Sequence, residues 1–361
     1  MTRRGRILAR VALAALVVVL ALGALSWWWV TDRPSGNPPL VAVVIPKGAG
    51  HDAIMERLES AHLVDRPFVT RLVFKLEGTF PRIQAGVHQV PGDANALELA
   101  RLLTDPPSEV QLTLIPGQSV WEAADRMAAL GIGTRDEVLA LAADEAFARD
   151  TLGLHDLVGP ARAVRPDGVA PTWLEGFLYP ETYNVGPGTS PRDALERAVR
   201  QFQRVWRELR ASHAQALAAL QARGFSEAKL IVLASLVEEE TADPTEARRV
   251  AGVFYNRLGR GMRLETDPTL MYRPDRVGRP PTPTERRDAS NPYNTYATAG
   301  LPPGPICSPG RTALEAVLDP ESHDFLFFVA RRDGTGGHAF AATLDEHQAN
   351  IDRYLRKVTD P

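Results

Sequence analysis

Leu230-Ile-Val-Leu-Ala-Ser-Leu-Val-Glu-Glu-Glu240 runs from an apolar stretch straight into three carboxylates, and Thr241-Ala-Asp-Pro244 closes it. Leu230, Leu233, Ala234 and Val237 recur at helical spacing and predict one apolar stripe. Continuing that phase sends Glu240 inward, sets Glu238 beside Ile231 and Ala234, and turns Glu239 away from the stripe. A helix C-terminus carries partial negative charge and crowded carboxylates repel one another. Both effects raise a carboxylate pKa toward that of a general acid working near neutral pH. The competing reading is a solvated, frayed helix end, since runs of charge are normally exposed. Asp243, Pro244 and Glu246 follow a cap, N1 and N3 pattern, which predicts a second helix to about Arg257 that buries Val250, Val253 and Phe254. Glu240 is therefore expected at a helix–helix corner.

Downstream, the chain turns polar and rich in turns. Gly261-Met-Arg-Leu-Glu-Thr-Asp-Pro-Thr269, Asn291-Pro-Tyr-Asn-Thr-Tyr296 and Gly300-Leu-Pro-Pro-Gly304 are dense in hydroxyls and amides, and Gly336-Gly-His338 with Phe340 adds an imidazole. A sugar-binding cleft needs such short donors and acceptors on loops, together with a few aromatics. Plain loop-forming chemistry explains their composition but not their number.

Upstream, Val11 to Val30 is a run of twenty uncharged, mostly apolar residues, long enough to cross a bilayer. Arg3, Arg4, Arg6 and Arg10 precede it and Trp27-Trp-Trp29 sits at its far end, so residues 1–10 are expected in the cytoplasm and 11–30 as a transmembrane helix. A cleaved signal peptide is the rival, weakened by the length of the apolar run. Residues 31–39 then read as a linker. Val41–Ile45 predicts a strand, Ile54, Leu58 and Ala61 mark a helix, Phe68–Leu76 a second helix, Gln84–Val90 a strand and Ala94–Thr104 a helix. Leu112–Ile115, Pro116-Gly-Gln-Ser119 and a helix carrying Ala123, Met127 and Leu130 repeat the strand, turn, helix order of the first unit. Such a turn is either ordinary chemistry before a helix or the mark of a LysM-like module over 40–108, a glycan-recognising fold that it resembles. Residues 135–225 read as mainly helical, the helical insertion of a larger mixed domain over 109–361. Trp173-Leu-Glu-Gly-Phe-Leu-Tyr-Pro-Glu-Thr-Tyr183 packs aromatics that serve either as core or as a grip on sugar rings. The fold class expected is α+β.

Composition narrows the chemistry. The chain has 361 residues and a formal net charge of −3, and the four leading arginines account for part of its 41 basic side chains against 44 acidic ones. That balance excludes a polyanion surface, so no nucleic-acid partner is expected. A single cysteine, Cys307, excludes an intrachain disulfide. Eight scattered histidines without His-Glu-x-x-His or paired-cysteine spacing, and no phosphate-cradling glycine loop, leave no expected metal or cofactor.

Ala234-Ser-Leu-Val-Glu-Glu-Glu-Thr241, Val253-Phe-Tyr-Asn-Arg-Leu258, Met262-Arg-Leu-Glu-Thr-Asp-Pro-Thr269, Tyr293-Asn-Thr-Tyr296, Gly300-Leu-Pro-Pro-Gly304 and Gly337-His-Ala-Phe340 closely resemble, in order and spacing, the endolytic murein transglycosylase (YceG-like) family. The resemblance implies a lytic transglycosylase that cleaves the β-1,4 bond between N-acetylmuramic acid and N-acetylglucosamine within peptidoglycan strands and leaves 1,6-anhydro ends. It makes Glu240, the glutamate before the threonine of Glu-x-Glu-Thr, the catalytic acid. Asn256, Thr266, Asp267, Asn294, Thr295, Tyr296 and His338 become candidates for positioning substrate. Glu238 is a further candidate, either tuning Glu240 by repulsion or pairing with a helix arginine such as Arg257. Glu265 stands where the family pattern carries Gln, and Ala341-Ala342 where a polar residue is usual. With the anchor, the resemblance implies a single-pass protein of the cell inner membrane with an extracytoplasmic catalytic domain. Its expected partners are glycan strands and the peptidoglycan synthases of elongation or division, and its expected work is to end nascent strands. The alternatives are a hydrolytic muramidase with Glu238 or Asp267 as second carboxylate, and a non-catalytic wall-binding scaffold.

Overall fold

The computed structural model describes Gly23, Gly334 and residues 40–46, 48–159, 172–186, 189–274, 280–332 and 336–356. Among these no helix is long and apolar enough to cross a membrane, and the span expected over 11–30 lies, but for Gly23, outside them. The architecture is α+β, many helices with three two-stranded sheets. The chain divides into two compact units, one running to Val110 with Ala129–Gly133 and Asn184–Thr189 added, the other holding the rest.

In the first unit β1 (Leu40–Ile45) pairs antiparallel with β2 (Gly86–Pro91), Val43 opposite His88. Between them lie α1 (His51–Ser60) and α2 (Pro67–Leu76), and α3 (Ala96–Leu102) follows. Ile54, Met55 and Leu58 of α1 meet Phe74 of α2, Leu99 of α3 and the inner face of the strands in one apolar core. Asn95 starts α3 with a full capping box: its Oδ1 accepts from the Leu97 and Glu98 amides, and Glu98 accepts from the Asn95 amide. Gly48, at φ +75°, makes the turn after β1 that the Pro/Gly pattern predicts.

Next in chain order come β3 (Val110–Thr113), α4 (Val120–Ala129), α5 (Arg135–Ala142) and β4 (Thr182–Val185). The long α6 (Pro191–Ser212) and α7 (Ala214–Ala222) lead to α8 (Glu227–Glu240) and α9 (Ala247–Gly259). Short helices α10 (Pro268–Met271) and α11 (Pro283–Arg287) precede α12 (Arg311–Leu318), and the antiparallel pair β5 (Phe327–Ala330) and β6 (His338–Ala341) precedes α13 (Leu344–Ile351).

Helix α8 is the centre of this unit, flanked by α9 and α12. Every residue from Leu230 to Val237 is buried, Ser235 included. The single apolar stripe expected from spacing is therefore a correction: the helix is covered on all sides, so its inward direction is not one face. Ser235 tolerates this because its Oγ donates to the Val232 carbonyl at 2.7 Å and accepts from the Ile306 amide at 3.1 Å. Trp173 and Phe177 are buried, which assigns those aromatics to core. The second predicted helix forms as α9 and buries Val250, Val253 and Phe254. Tyr255 of α9 donates to the Val317 carbonyl of α12 at 2.7 Å and locks the two together.

Helix α9 also lies tight against the 319–325 segment. Arg248 donates to the Asp319 carbonyl at 2.7 Å, and a Cβ at Gly252 would stand 2.5 Å from the Glu321 carbonyl oxygen. An alanine inside a helix ordinarily stabilises by about 1 kcal/mol over glycine. Here the backbone clash reverses that sign, and Gly252→Ala is expected to destabilise by about 1–3 kcal/mol in denaturant unfolding. A raised midpoint would show that the 321–323 backbone moves aside freely.

Candidate active site

Two features end α8. The Thr241 hydroxyl donates to the Val237 carbonyl at 2.6 Å, satisfying one of the orphaned acceptors of the last turn, and Asp243 accepts from the Thr245 amide at 2.9 Å to begin the next turn. Glu240 is left at the corner between them. Its Oε1 accepts a hydrogen bond from the Thr266 hydroxyl.

Thr266 is itself held from several sides. Its amide donates to Thr295 Oγ1 at 3.1 Å, its carbonyl accepts from the Thr269 hydroxyl at 2.8 Å, and the Glu265 amide donates to the Thr295 carbonyl at 3.2 Å. Glu265 sits at φ +53°, a region disfavoured for residues with a Cβ. Such local strain is characteristic of functional corners and persists where neighbours overdetermine the backbone. Arg257 supplies part of that determination by donating to the carbonyls of Arg263 (3.1 Å), Leu264 (2.9 Å) and Leu326 (2.6 Å) and approaching Glu265 at 3.4 Å.

Asp267, the next residue, accepts from Arg286 at 3.0 Å and from the Tyr296 hydroxyl at 2.6 Å. Asn294 is fully buried and builds this cluster. Its amide nitrogen donates to the carbonyls of Glu285, Arg286 and Asp288, while its oxygen accepts from the Tyr296 amide at 2.9 Å. Asn294 and Thr295 thus act as scaffold, while Thr266, Asp267 and Tyr296 present groups around the acid.

The carboxyl group of Glu240 is pushed up from its ordinary 4.5 to about 7, first by burial. The Thr266 hydrogen bond opposes this by favouring the charged form. The negative charges of Asp267 and Glu239 raise it further, and Arg257 lowers it. Glu240 keeps partial surface exposure, so a substrate can reach it even though protein crowds the carboxylate itself.

Three expectations change here. Glu239, rather than Glu238, is the triplet neighbour whose charge acts on Glu240. Glu238 is drawn the other way, its Oε2 accepting from the Gly310 amide at 2.9 Å, and Arg257 takes Glu265 rather than Glu238 as its ionic partner. The cause is the all-round burial of α8, which makes the three acids similarly half-buried and gives each a different neighbour. Asn256 points away from the acid, its amide nitrogen bound to the His323 and Phe325 carbonyls at 2.7 and 3.0 Å. His338 is likewise engaged: its Nδ1 lies 2.8 Å from Glu246 Oε2, and its amide donates to the same carboxylate.

Sequence reasoning missed Glu246 as the partner of His338, because the capping pattern assigned it to the helix start. The pairing of Arg286 with Asp267 left no sequence signal, since the two lie 19 positions apart in the chain. Among the described residues no group of three or more His, Cys, Asp or Glu is placed to hold a metal ion.

A raised-pKa carboxylic acid at the end of a buried helix, ringed by hydroxyl and amide loops, is the arrangement that general-acid chemistry requires. The chain belongs to the YceG-like family, whose model matches residues 43–353. It is similar to the endolytic murein transglycosylase of Bacillus subtilis, 28% identical over 330 residues, 87% of this chain and 85% of that protein. It is also similar to the endolytic murein transglycosylase of Streptococcus pneumoniae, 26% identical over 95% of this chain but only 64% of that protein's length. A crystal structure of a yceG-like protein from Listeria monocytogenes superposes with a TM-score of 0.57 at 26% identity, over 86% of this chain and 98% of that one.

Because folding raises the Glu240 pKa, the native state binds more protons than the unfolded state between about pH 4.5 and 7. The stability this contributes is full below 4.5 and is lost as pH rises through 7. Glu240→Gln is expected to remove that dependence, so that its stability relative to wild type improves by on the order of 1–3 kcal/mol between pH 4 and pH 8 in denaturant titrations. A constant difference across that range would contradict the raised pKa. Thr266→Val, which removes the opposing donor, is expected to move the alkaline limb of the pH–rate profile upward; a downward shift would refute the assignment of that hydrogen bond.

Proposed function

We propose that the chain is an endolytic peptidoglycan lytic transglycosylase with Glu240 as its one catalytic carboxyl group. The observation that carries this is the protonatable Glu240, with a pKa near 7 and a hydroxyl donor on its carboxylate. The names of the relatives supply the substrate class. Protonated Glu240 gives its proton to the glycosidic oxygen as the bond to the muramoyl C1 breaks. The resulting carboxylate takes the proton of the muramoyl C6 hydroxyl as that oxygen bonds to C1 and closes the 1,6-anhydro ring. Atoms balance without water, and Glu240 ends protonated as it began. A pKa near working pH suits a group that acts first as acid and then as base.

Asp267, held by Arg286 and Tyr296, tunes Glu240 through its charge. That neighbouring carboxylate is also what a hydrolytic muramidase would use to activate water, so Asp267 carries the second reading. Thr266 and Tyr296 position Glu240 and Asp267, while Asn294, Thr295, Asn256 and His338 brace the loops around them. The strand–helix–helix–strand order of the first unit supports a LysM-like module there. The apolar run over 11–30, with arginines before it, supports a single-pass anchor in the inner membrane with an extracytoplasmic site. From that position the enzyme acts on nascent strands beside the synthases that make them.

Mass analysis of fragments released from purified peptidoglycan tests the reading. Wild type is expected to give 1,6-anhydro-muramic ends and Glu240→Gln to lose at least about 1,000-fold in rate, the scale of removing an essential proton donor. Reducing muramic ends would turn the assignment to the hydrolase, and an unimpaired Glu240→Gln would leave only a binding scaffold.

A further inference from the structure

The Ile115-Pro-Gly-Gln118 turn, noted in the sequence as an echo of the first unit, has a place beside the acid that the mechanism does not use. Pro116 and Gly117 occupy the central positions of a turn closed by the Gln118 amide on the Ile115 carbonyl at 3.3 Å, and Gly117 has the φ of +77° that such a turn requires. The turn is tied to the 308–310 loop by two backbone bonds, Gly117 to the Ser308 carbonyl at 3.0 Å and Ser308 to the Gln118 carbonyl at 2.9 Å. A Cβ on Gly117 would lie 3.4 Å from Glu239 Oε1, so the turn abuts the residue before Glu240.

Between this turn and the end of α8 runs an open cleft of about 710 Å³, with Ile115–Gln118 on one wall and Glu238, Glu239 and Thr241 on the other. Its size is that of a small-ligand site. Ile115 is exposed at 47%, an apolar side chain offered to the cleft, and Pro116 is exposed beside it. Of the four carboxylates on the rim, Glu122 is bound to Ser119, Asp125 to Arg135 and Glu238 to the Gly310 amide. Arg126 and Glu239 line the cleft as well, so charged groups run along it and Ile115 with Pro116 forms its exposed apolar patch. Gln118 completes it: its Oε1 accepts from the Ile115 amide at 3.2 Å, while its Nε2 makes no hydrogen bond within the described residues.

We infer that the Ile115–Gln118 turn is a glycan subsite adjoining Glu240, taking one N-acetylhexosamine ring of the strand. The ring's C–H face lies on Ile115 and Pro116, and Gln118 Nε2 donates to a hydroxyl or to the N-acetyl carbonyl. A sugar ring fits such a mixed wall because it offers an apolar face to Ile115 and Pro116 and hydroxyls that can donate to carboxylates and accept from amide or guanidinium N–H groups. The inference rests on the reading of Glu240 as a glycan-cleaving acid and adds a residue set that holds the strand next to it.

The test uses the full chain carrying Glu240→Gln, which leaves bound strands intact, and calorimetry with an uncross-linked eight-sugar peptidoglycan strand. Adding Ile115→Ala is expected to weaken binding about five-fold, as lost apolar contact of about one kcal/mol implies. Gln118→Glu keeps the acceptor that holds the turn and replaces the donor by a carboxylate oxygen, and is expected to weaken binding by at least as much. On the Glu240 background both should raise KM for long strands by a comparable factor with kcat within about two-fold, a split that a merely structural role does not produce. If wild type cleaves strands while both variants match it in affinity and KM with unchanged melting, the subsite alone falls. If wild type releases no fragments and the Glu240→Gln chain binds no strand, the enzymatic reading falls and the subsite with it.

Discussion

The corner that holds Glu240 depends on one constraint, a helix buried on every side that ends in a carboxylate. Ile231 to Val237 are packed all round, so α8 has no solvated flank on which its terminal acids can lie. Water is displaced from around Glu240 by the same packing that holds the unit together, and the carboxyl group retains its proton to about pH 7. Stability and reactivity thus share a cause. Above pH 7, where the ionised acid opposes burial, replacing Glu240 is expected to relieve the fold, the usual sign of a residue kept for what it does.

Around that acid the protein spends polar groups chiefly on backbone. Asn294 spans three carbonyls, Arg257 spans three more, and Thr295 receives the Thr266 amide. These loops have little apolar content with which to pack, so hydrogen bonds to carbonyls set their shape instead. The outcome is a rigid frame in which Thr266, Asp267 and Tyr296 differ from their equally polar neighbours by facing the carboxylate.

This division marks what was legible in the sequence. Helices α8 and α9 and the turn between them follow from apolar content and cap chemistry written within about thirty consecutive residues, while the proposal of Glu240 leans on the motif resemblance. The division of labour among Glu238, Glu239, Asn256 and His338 was not legible. Three of them are engaged by a partner far along the chain: Gly310 for Glu238, His323 for Asn256, Glu246 for His338. Helical phase distinguishes a buried face from an open one, and it fails where a helix has no open face. The first unit was easier, since its strands and helices each form within a few residues of their expected limits from local alternation and a capping box at Asn95.

The bond between Glu246 and His338 joins residues 92 apart, and Gly310 reaches Glu238 across 72. Loops of that length close late relative to local helices, because their contacts reward closure only once both ends have met. Glu238 at the end of α8 and Glu246 before α9 are thereby each tied to a partner far downstream. The burial that lifts the Glu240 pKa belongs to the finished fold rather than to the segment that carries the acid.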